Sequence, residues 1–210
     1  MVFPHEYSLY AKALIGVLAI VNPLGVIPIF LSLSGDRTLT ECRKIASKSA
    51  IAVAVILIVA VWGGDVLLGF FGIGIPAFRV GGGLLILLMA ISMLHARQSH
   101  TRQTPDEADE ADAKEDIAVV PLAIPMMAGP GAICLVIGDA THGVNRLMLS
   151  VGILVIAFVV WITMRLAAPI GEKLGMTGLN IATRIMGLLL AAIGIQMMAL
   201  GLIKLFPGLA

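Results

Sequence analysis

The chain has 210 residues, of which 59% are hydrophobic and only 13% charged, and its formal net charge is +1. Its mean hydropathy is +1.03. Soluble domains carry about 25% charged residues, so the composition excludes an ordinary soluble globular protein and indicates a protein embedded in a lipid bilayer. Without a basic face, the chain is not expected to have a nucleic-acid partner.

Six runs without charged residues are long enough, or nearly long enough, to cross the bilayer as helices. They cover 13–35, 49–64, 80–96, 117–138, 147–164 and 185–203. About 20 helical residues cross the ~30 Å hydrocarbon core, and shorter runs can use flanking lysine or arginine side chains that extend to the interface. An apolar stretch at 66–78 is too short to span and is predicted to form an interfacial or re-entrant turn. The predicted fold class is an all-α membrane protein with six transmembrane helices.

Helix-breaking residues lie inside the first and the fourth of these runs. Proline has no N–H and clashes with the carbonyl four residues earlier, so each proline frees a backbone acceptor that hydrocarbon cannot solvate. Interrupted spans at corresponding places in two halves indicate a transporter's substrate site. The candidate substrate-binding residues at these breaks are Asn22, Pro23, Gly25, Pro28, Pro121, Pro125, Gly129, Pro130 and Gly131.

The chemistry of such breaks suits a zwitterion. Freed carbonyls can hold an ammonium group, and the N–H groups of a helix that resumes after the break can hold a carboxylate. Asn22 adds a donor and an acceptor. Arg79 is a further candidate, because it either pairs with Asp65 or reaches a substrate carboxylate. The alternative for the breaks is simple kinks accommodated by neighbouring helices.

The two halves of the chain share an ordered set of features, which predicts an internal repeat. Pro23 and Pro121 are 98 residues apart, and Trp62 and Trp161 are 99 apart. Three spans per half is an odd number, so the halves would enter the membrane in opposite directions, as a 3+3 inverted repeat. The predicted boundaries are 1–96 for the first repeat, 97–116 for a charged linker and 117–210 for the second repeat. Small residues in the last helix of each half predict close helix contact there.

Basic residues are distributed unequally between the two sets of loops. Ten lie in the loops 34–48, 97–116 and 165–184, and four (Lys12, Arg79, Arg146 and Lys204) lie on the other side. The positive-inside rule then predicts that the first set is cytoplasmic and that both termini are periplasmic.

The sequence lacks the short motifs of common enzymes. His-Glu-x-x-His and Gly-x-Ser-x-Gly are both absent, and we expect no enzymatic activity, no cofactor and no metal site. Asp65 and Asp139 are the acids that border the spans. Both lie near the predicted outer ends, so no buried proton relay is evident from the sequence.

The motifs at the breaks and at the last helix of each half resemble those of the MarC family, also called the SnatA or neutral amino acid transporter family, of bacterial and archaeal inner-membrane proteins. The matching stretches are 21–30 and 78–83 in the first half, and 121–133 and 183–190 in the second. The resemblance runs nearly end to end and is greatest to the subgroup with a charged central loop. It implies a six-span protein of the bacterial inner membrane that transports neutral amino acids such as glycine or alanine by alternating access. The alternative is a non-transporting membrane sensor or accessory protein. Expected partners are therefore a small neutral amino acid and the lipid bilayer, and a homo-oligomer is left open.

Overall fold

The structure, a computed structural model, describes residues 5–35, 37–95, 127–141 and 143–209. The charged linker at 97–116, Pro121 and Pro125 lie outside these residues. The described part of the chain is all-helical and contains no strand, which confirms the predicted all-α class. Its helices are α1 (His5–Val21), α2 (Pro23–Leu33), α3 (Leu39–Phe70), α4 (Ile75–Leu94), α5 (Pro130–Thr141), α6 (Arg146–Arg165) and α7 (Ala167–Leu205), followed by a 3-10 turn at Pro207–Leu209.

Five helical segments of the described chain are long and apolar enough to cross a membrane. They are Leu9–Ser32, Leu39–Phe70, Ile75–Leu94, Arg146–Arg165 and Thr177–Leu205, and the apolar helix Pro130–Thr141 is shorter. Large apolar side chains on α3, α4, α6 and α7 face outward, among them Val55, Leu88, Phe158 and Leu188. Hydrocarbon is the solvent that suits such a surface.

The segment 66–78 differs from its predicted form. Helix α3 continues to Phe70 and α4 begins at Ile75, so only residues 71–74 lie between them. The predicted turn is therefore confined to residues 71–74, and the rest of 66–78 belongs to the two helices. Pro76 does not interrupt α4, because it lies in the first turn, where its missing N–H would have had no helical partner.

Helices α4 and α7 lie antiparallel and approach closely through glycine. A Cβ built on Gly83 would lie 2.6 Å from the carbonyl oxygen of Gly194, and one on Gly194 would lie 2.8 Å from the carbonyl oxygen of Gly83. Further along, a Cβ on Gly187 would lie 3.2 Å from the carbonyl oxygen of Ala90. The predicted small-residue contact between these helices is confirmed.

Helices α3 and α6 also lie antiparallel, but polar side chains join them. The Trp62 indole N–H donates to Ser150 Oγ at 3.1 Å, and the Trp161 indole N–H donates to Ser47 Oγ at 3.0 Å. Arg146 and Asp65 form an ion pair at 2.5 Å beside the first of these bonds. The same tryptophan–serine bond therefore occurs twice, with the roles of the two helices exchanged.

The buried core lies where these pairs of helices meet α1, α2 and α5. Its largest fully buried side chains include Ile27 of α2, Leu57 of α3, Ile86 of α4, Ile153 of α6 and Leu190 of α7. Helix α5 packs against α1, α3 and α4. Helices α1 and α2 on either side of Asn22, and helix α5, consequently pack into the bundle.

Candidate substrate site

The first candidate break is a single residue, Asn22, between α1 and α2. Its backbone has φ 46° and ψ 62°, the left-handed conformation, and it is the one residue other than glycine with a positive φ in the described chain. Its side-chain oxygen accepts a hydrogen bond from Gly25 N–H at 3.2 Å, so Asn22 caps α2. Asparagine tolerates the left-handed region better than most residues, which explains its place here.

Gly25 is required by this cap. A Cβ at position 25 would collide with the Asn22 amide, since it would lie 2.9 Å from Asn22 Cγ and closer still to Nδ2. Pro23 occupies the first turn of α2, where a missing N–H carries no cost. The four residues of the Asn-Pro-x-Gly motif thus end one helix and start the next.

Asn22 is also buried, with only 4% of its surface exposed. Its Nδ2 lies 3.8 Å from the Met93 sulfur of α4, a weak acceptor. Pro28 lies further along, inside α2, and that helix continues through it. A buried amide with a weakly bound donor is suited to a polar ligand.

The second candidate break is the start of α5. Met127 and Ala128 are buried and precede α5, and the Gly129 carbonyl accepts from Ile133 N–H at 3.1 Å. Pro130 is the first residue of α5 and is exposed. The N-terminal N–H groups of this helix have no partners in their own helix, and its dipole favours a negative group there.

Gly131 has a packing role that its motif did not reveal. A Cβ at this position would lie 2.6 Å from Ile86 Cγ1 and 3.8 Å from Ile20 Cγ2. The space that a side chain would need is therefore filled by α4, so the missing side chain of Gly131 is explained by helix contact.

Helices α1 and α5 lie antiparallel in a register that brings the two breaks together. Positions Gly16 and Leu135 are in contact, as are Ile20 and Gly131. Continuing this register by two residues sets Asn22 opposite Gly129. Both chain interruptions in the described residues of these helices thus lie at one level of the bundle.

Arg79 does not lie at the breaks. Its Nη2 donates to the Gly138 carbonyl at 3.3 Å, near the C-terminal end of α5. Arg79 is also 14 residues, or about 21 Å along α4, from Met93, the residue of α4 that contacts Asn22. The hypothesis that Arg79 pairs with Asp65 is wrong, because Asp65 pairs with Arg146.

Two polar features are not evident from the sequence. The first is the contact between Met93 and Asn22. It depends on how α4 packs, and no local motif specifies that packing. Asp139 was assigned to the outer end of a span, but its Oδ2 is buried and has no hydrogen-bond partner among the described residues. An acid within an apolar helix was the available signal.

A family model for MarC family integral membrane proteins matches residues 7–206. The chain belongs to the MarC family. It is 40% identical over 207 residues to the UPF0056 membrane protein YhcE of Escherichia coli, covering 97% of this chain and 96% of that protein. It is 37% identical to the UPF0056 membrane protein YvbG of Bacillus subtilis, covering 96% and 97%.

The MarC-family relatives also include a UPF0056 membrane protein of Methanocaldococcus jannaschii, 33% identical over 200 residues, with 94% of this chain and 97% of that protein covered. No solved structure matches this chain. The relatives' names state a membrane location and give no substrate.

Proposed function

We propose that this MarC-family protein transports small neutral amino acids, such as glycine or alanine, across the bacterial inner membrane by alternating access. The observation that carries the proposal is the antiparallel register of α1 and α5, in which Ile20, two residues before Asn22, contacts Gly131, two residues after Gly129. Irregular backbone at membrane depth is tolerated where it lines a site, and paired interruptions are how many transporters build one.

The site offers both poles that a zwitterion needs, without a charged side chain at the breaks. The N-terminus of α5 offers N–H groups and a positive dipole end to the carboxylate. Backbone carbonyls near Asn22, together with its amide oxygen, offer acceptors to the ammonium group. The buried apolar side chains of Ile20 and Ile86 lie against Gly131 of α5, and this apolar packing favours a small apolar side chain on the substrate.

The proposed architecture is a 3+3 inverted repeat in which the first and fourth helices are broken. Its support is that all three pairs of corresponding helices, α1 with α5, α3 with α6 and α4 with α7, lie antiparallel and in contact. The exchanged tryptophan–serine bonds between α3 and α6 are what a pseudo-two-fold axis would produce.

We further propose periplasmic termini, with the charged linker in the cytoplasm, on the ten-to-four excess of basic residues. Alkaline phosphatase fused after residue 210 should be active, and the same enzyme inserted within 97–116 should be inactive. The reverse pattern of activity would show that the termini are cytoplasmic and the linker is periplasmic.

The test of function compares two asparagines that both cap a helix. Asn22→Ala removes the buried amide at the break, whereas Asn145→Ala removes the cap of α6, which accepts from Leu147 N–H at 2.8 Å and lies away from the breaks. We expect Asn22→Ala to weaken glycine binding about tenfold or more and Asn145→Ala to leave it unchanged.

Binding would be measured as glycine-dependent thermal stabilisation of the purified protein, and transport as glycine exchange in proteoliposomes. Wild-type protein that neither binds nor exchanges any neutral amino acid would refute the proposal and favour a non-transporting accessory role. Equal glycine binding by the Asn22→Ala and Asn145→Ala variants would show that Asn22 is not part of the site.

A further inference from the structure

The outer end of α5 carries a second pair of charged residues, Arg79 and Asp139, whose arrangement differs from an ordinary ion pair. The Arg79 guanidinium lies against Gly138, where a Cβ would be 3.0 Å from Nε, and Nη2 donates to the Gly138 carbonyl. This is the one hydrogen bond of Arg79 among the described residues, although a guanidinium has five N–H donors. Most of its donors are therefore available.

Asp139 is next to Gly138, and one oxygen of its carboxylate lacks a hydrogen-bond donor in the part of the chain that the structure describes. Its Oδ2 is buried, with no donor among the described residues, even though the Arg79 charge is near enough to act on it. The two side chains interact electrostatically without a direct ion pair. A buried carboxylate oxygen without a donor is costly, so this oxygen favours a cationic or protonated partner.

The other outer pair, Asp65 with Arg146, provides the contrast. Its ion pair is direct, at 2.5 Å, and both side chains are about one-third exposed, at 33% each. The Asp65–Arg146 charges are in direct contact, although Asp65 Oδ1 is also buried without a hydrogen-bond partner among the described residues. Arg79 and Asp139 have no such direct contact, and the unused donors of Arg79 and the unused acceptor of Asp139 are the complement of a molecule that carries a carboxylate next to an ammonium group.

The position of the pair also suits an entry site. Asp139 lies nine residues beyond Pro130 on α5, or about 14 Å along the helix axis from the second break. Both Arg79 and Asp139 are partly exposed. A solute that enters from this end of the bundle would meet the pair before it reached Asn22 and Gly129.

We propose that Arg79 and Asp139 form an outer recognition site for zwitterionic amino acids, in which Arg79 binds the carboxylate and Asp139 binds the ammonium group. This inference rests on the proposed function and deepens it. It adds a second substrate position, selects for zwitterions over singly charged solutes, and assigns a role to a carboxylate that the breaks do not use.

The experiment measures glycine binding to the purified full chain, with glycinamide, which lacks the carboxylate, and acetate, which lacks the ammonium, as probes. Asp139→Asn preserves shape and removes the charge, and we expect glycine binding to weaken about tenfold. Asp139→Glu should restore most of it. The matched control, Asp65→Asn, should bind glycine as wild type does.

Two further variants keep this inference separable from the proposed function. In an Asn22→Ala background, in which binding at the inner site is weakened, the glycine binding that remains should weaken further when Asp139→Asn is added. Glycinamide and acetate should bind poorly to every variant. Wild-type protein that binds no amino acid would refute the proposed function itself.

Three outcomes would overturn the outer site alone. The first is a glycine affinity that Asp139→Asn leaves unchanged. The second is an Asn22→Ala protein whose remaining glycine binding is not weakened further by Asp139→Asn. The third is an Asp139→Asn protein whose transport changes only in its pH dependence, with normal glycine affinity, because the carboxylate would then hold a proton and not the substrate.

Discussion

Helices α4 and α7 meet through backbone, whereas α3 and α6 meet through polar side chains. In the first pair, Gly83 and Gly194 let main-chain atoms of the two helices approach closely. In the second, two indole–hydroxyl bonds and the Asp65–Arg146 ion pair cross the interface. Both pairs connect one half of the chain to the other, so the two halves are held together by two different kinds of contact.

The difference indicates which helices can move relative to one another. Backbone contacts between glycines leave no side chain that could change rotamer, so α4 and α7 should move as one unit. Side-chain hydrogen bonds can break singly and re-form after a small displacement. If alternating access requires one group of helices to rock against another, the α3–α6 interface is the better candidate for that movement.

The largest effect is expected for Gly83→Val, which challenges the backbone contact directly. Its Cβ would lie 2.6 Å from the Gly194 carbonyl oxygen and 2.9 Å from Met198 N, and neither backbone atom can rotate away. We expect destabilisation of about 3 kcal/mol, measured by thermal unfolding in detergent. Gly81→Val is the matched control, because nothing lies within 4 Å of its Cβ. Equal loss in both would mean that the valine, and not the contact, is responsible.

An intermediate effect is expected for Trp161→Phe, which removes one indole donor and keeps an aromatic ring. The bond to Ser47 would be lost, and so would part of the contact with Arg165, whose guanidinium carbon lies 4.7 Å from the Trp161 ring. We expect a loss of about 1 kcal/mol by thermal unfolding. A double-mutant cycle with Ser47→Ala should be non-additive, and strictly additive losses would show that the bond contributes nothing.

The smallest effect is expected for Arg146→Gln. The Asp65–Arg146 pair is one-third exposed, at 33% for each side chain, so water and salt screen it. We expect a loss of about 0.5 kcal/mol that shrinks further in high salt. A loss as large as that of Gly83→Val would show that the polar interface is as rigid as the glycine interface, and the distinction between them would fail.

Five of the six predicted spans correspond to helices of span length in the described residues, because uncharged apolar runs of that length have few other solutions. Their bounds could not be predicted. Helix α3 begins at Leu39, ten residues before its uncharged run, since the Thr38–Glu41 capping box starts a helix that extends beyond hydrocarbon. Charged residues indicate where a helix leaves the bilayer, whereas capping residues indicate where the helix itself begins or ends.

The candidate site was predictable only where one motif contains it. Asn22, Pro23 and Gly25 are close in sequence, and their chemistry indicates an interrupted helix directly. The neighbours Met93 and Ile86 depend on the register of α4 with α1 and α5, which no short pattern specifies. The same holds for Arg79, whose partner on α5 is 59 residues away in sequence.

The two indoles, Trp62 and Trp161, are the chain's only tryptophans, and they lie toward opposite ends of the α3–α6 pair. The protein therefore contains a built-in optical reporter for each end. With Trp161→Phe the remaining ultraviolet emission comes from the Trp62 end, and with Trp62→Phe it comes from the Trp161 end. Quenchers confined to one leaflet can then follow each end separately while glycine is added, without any attached dye.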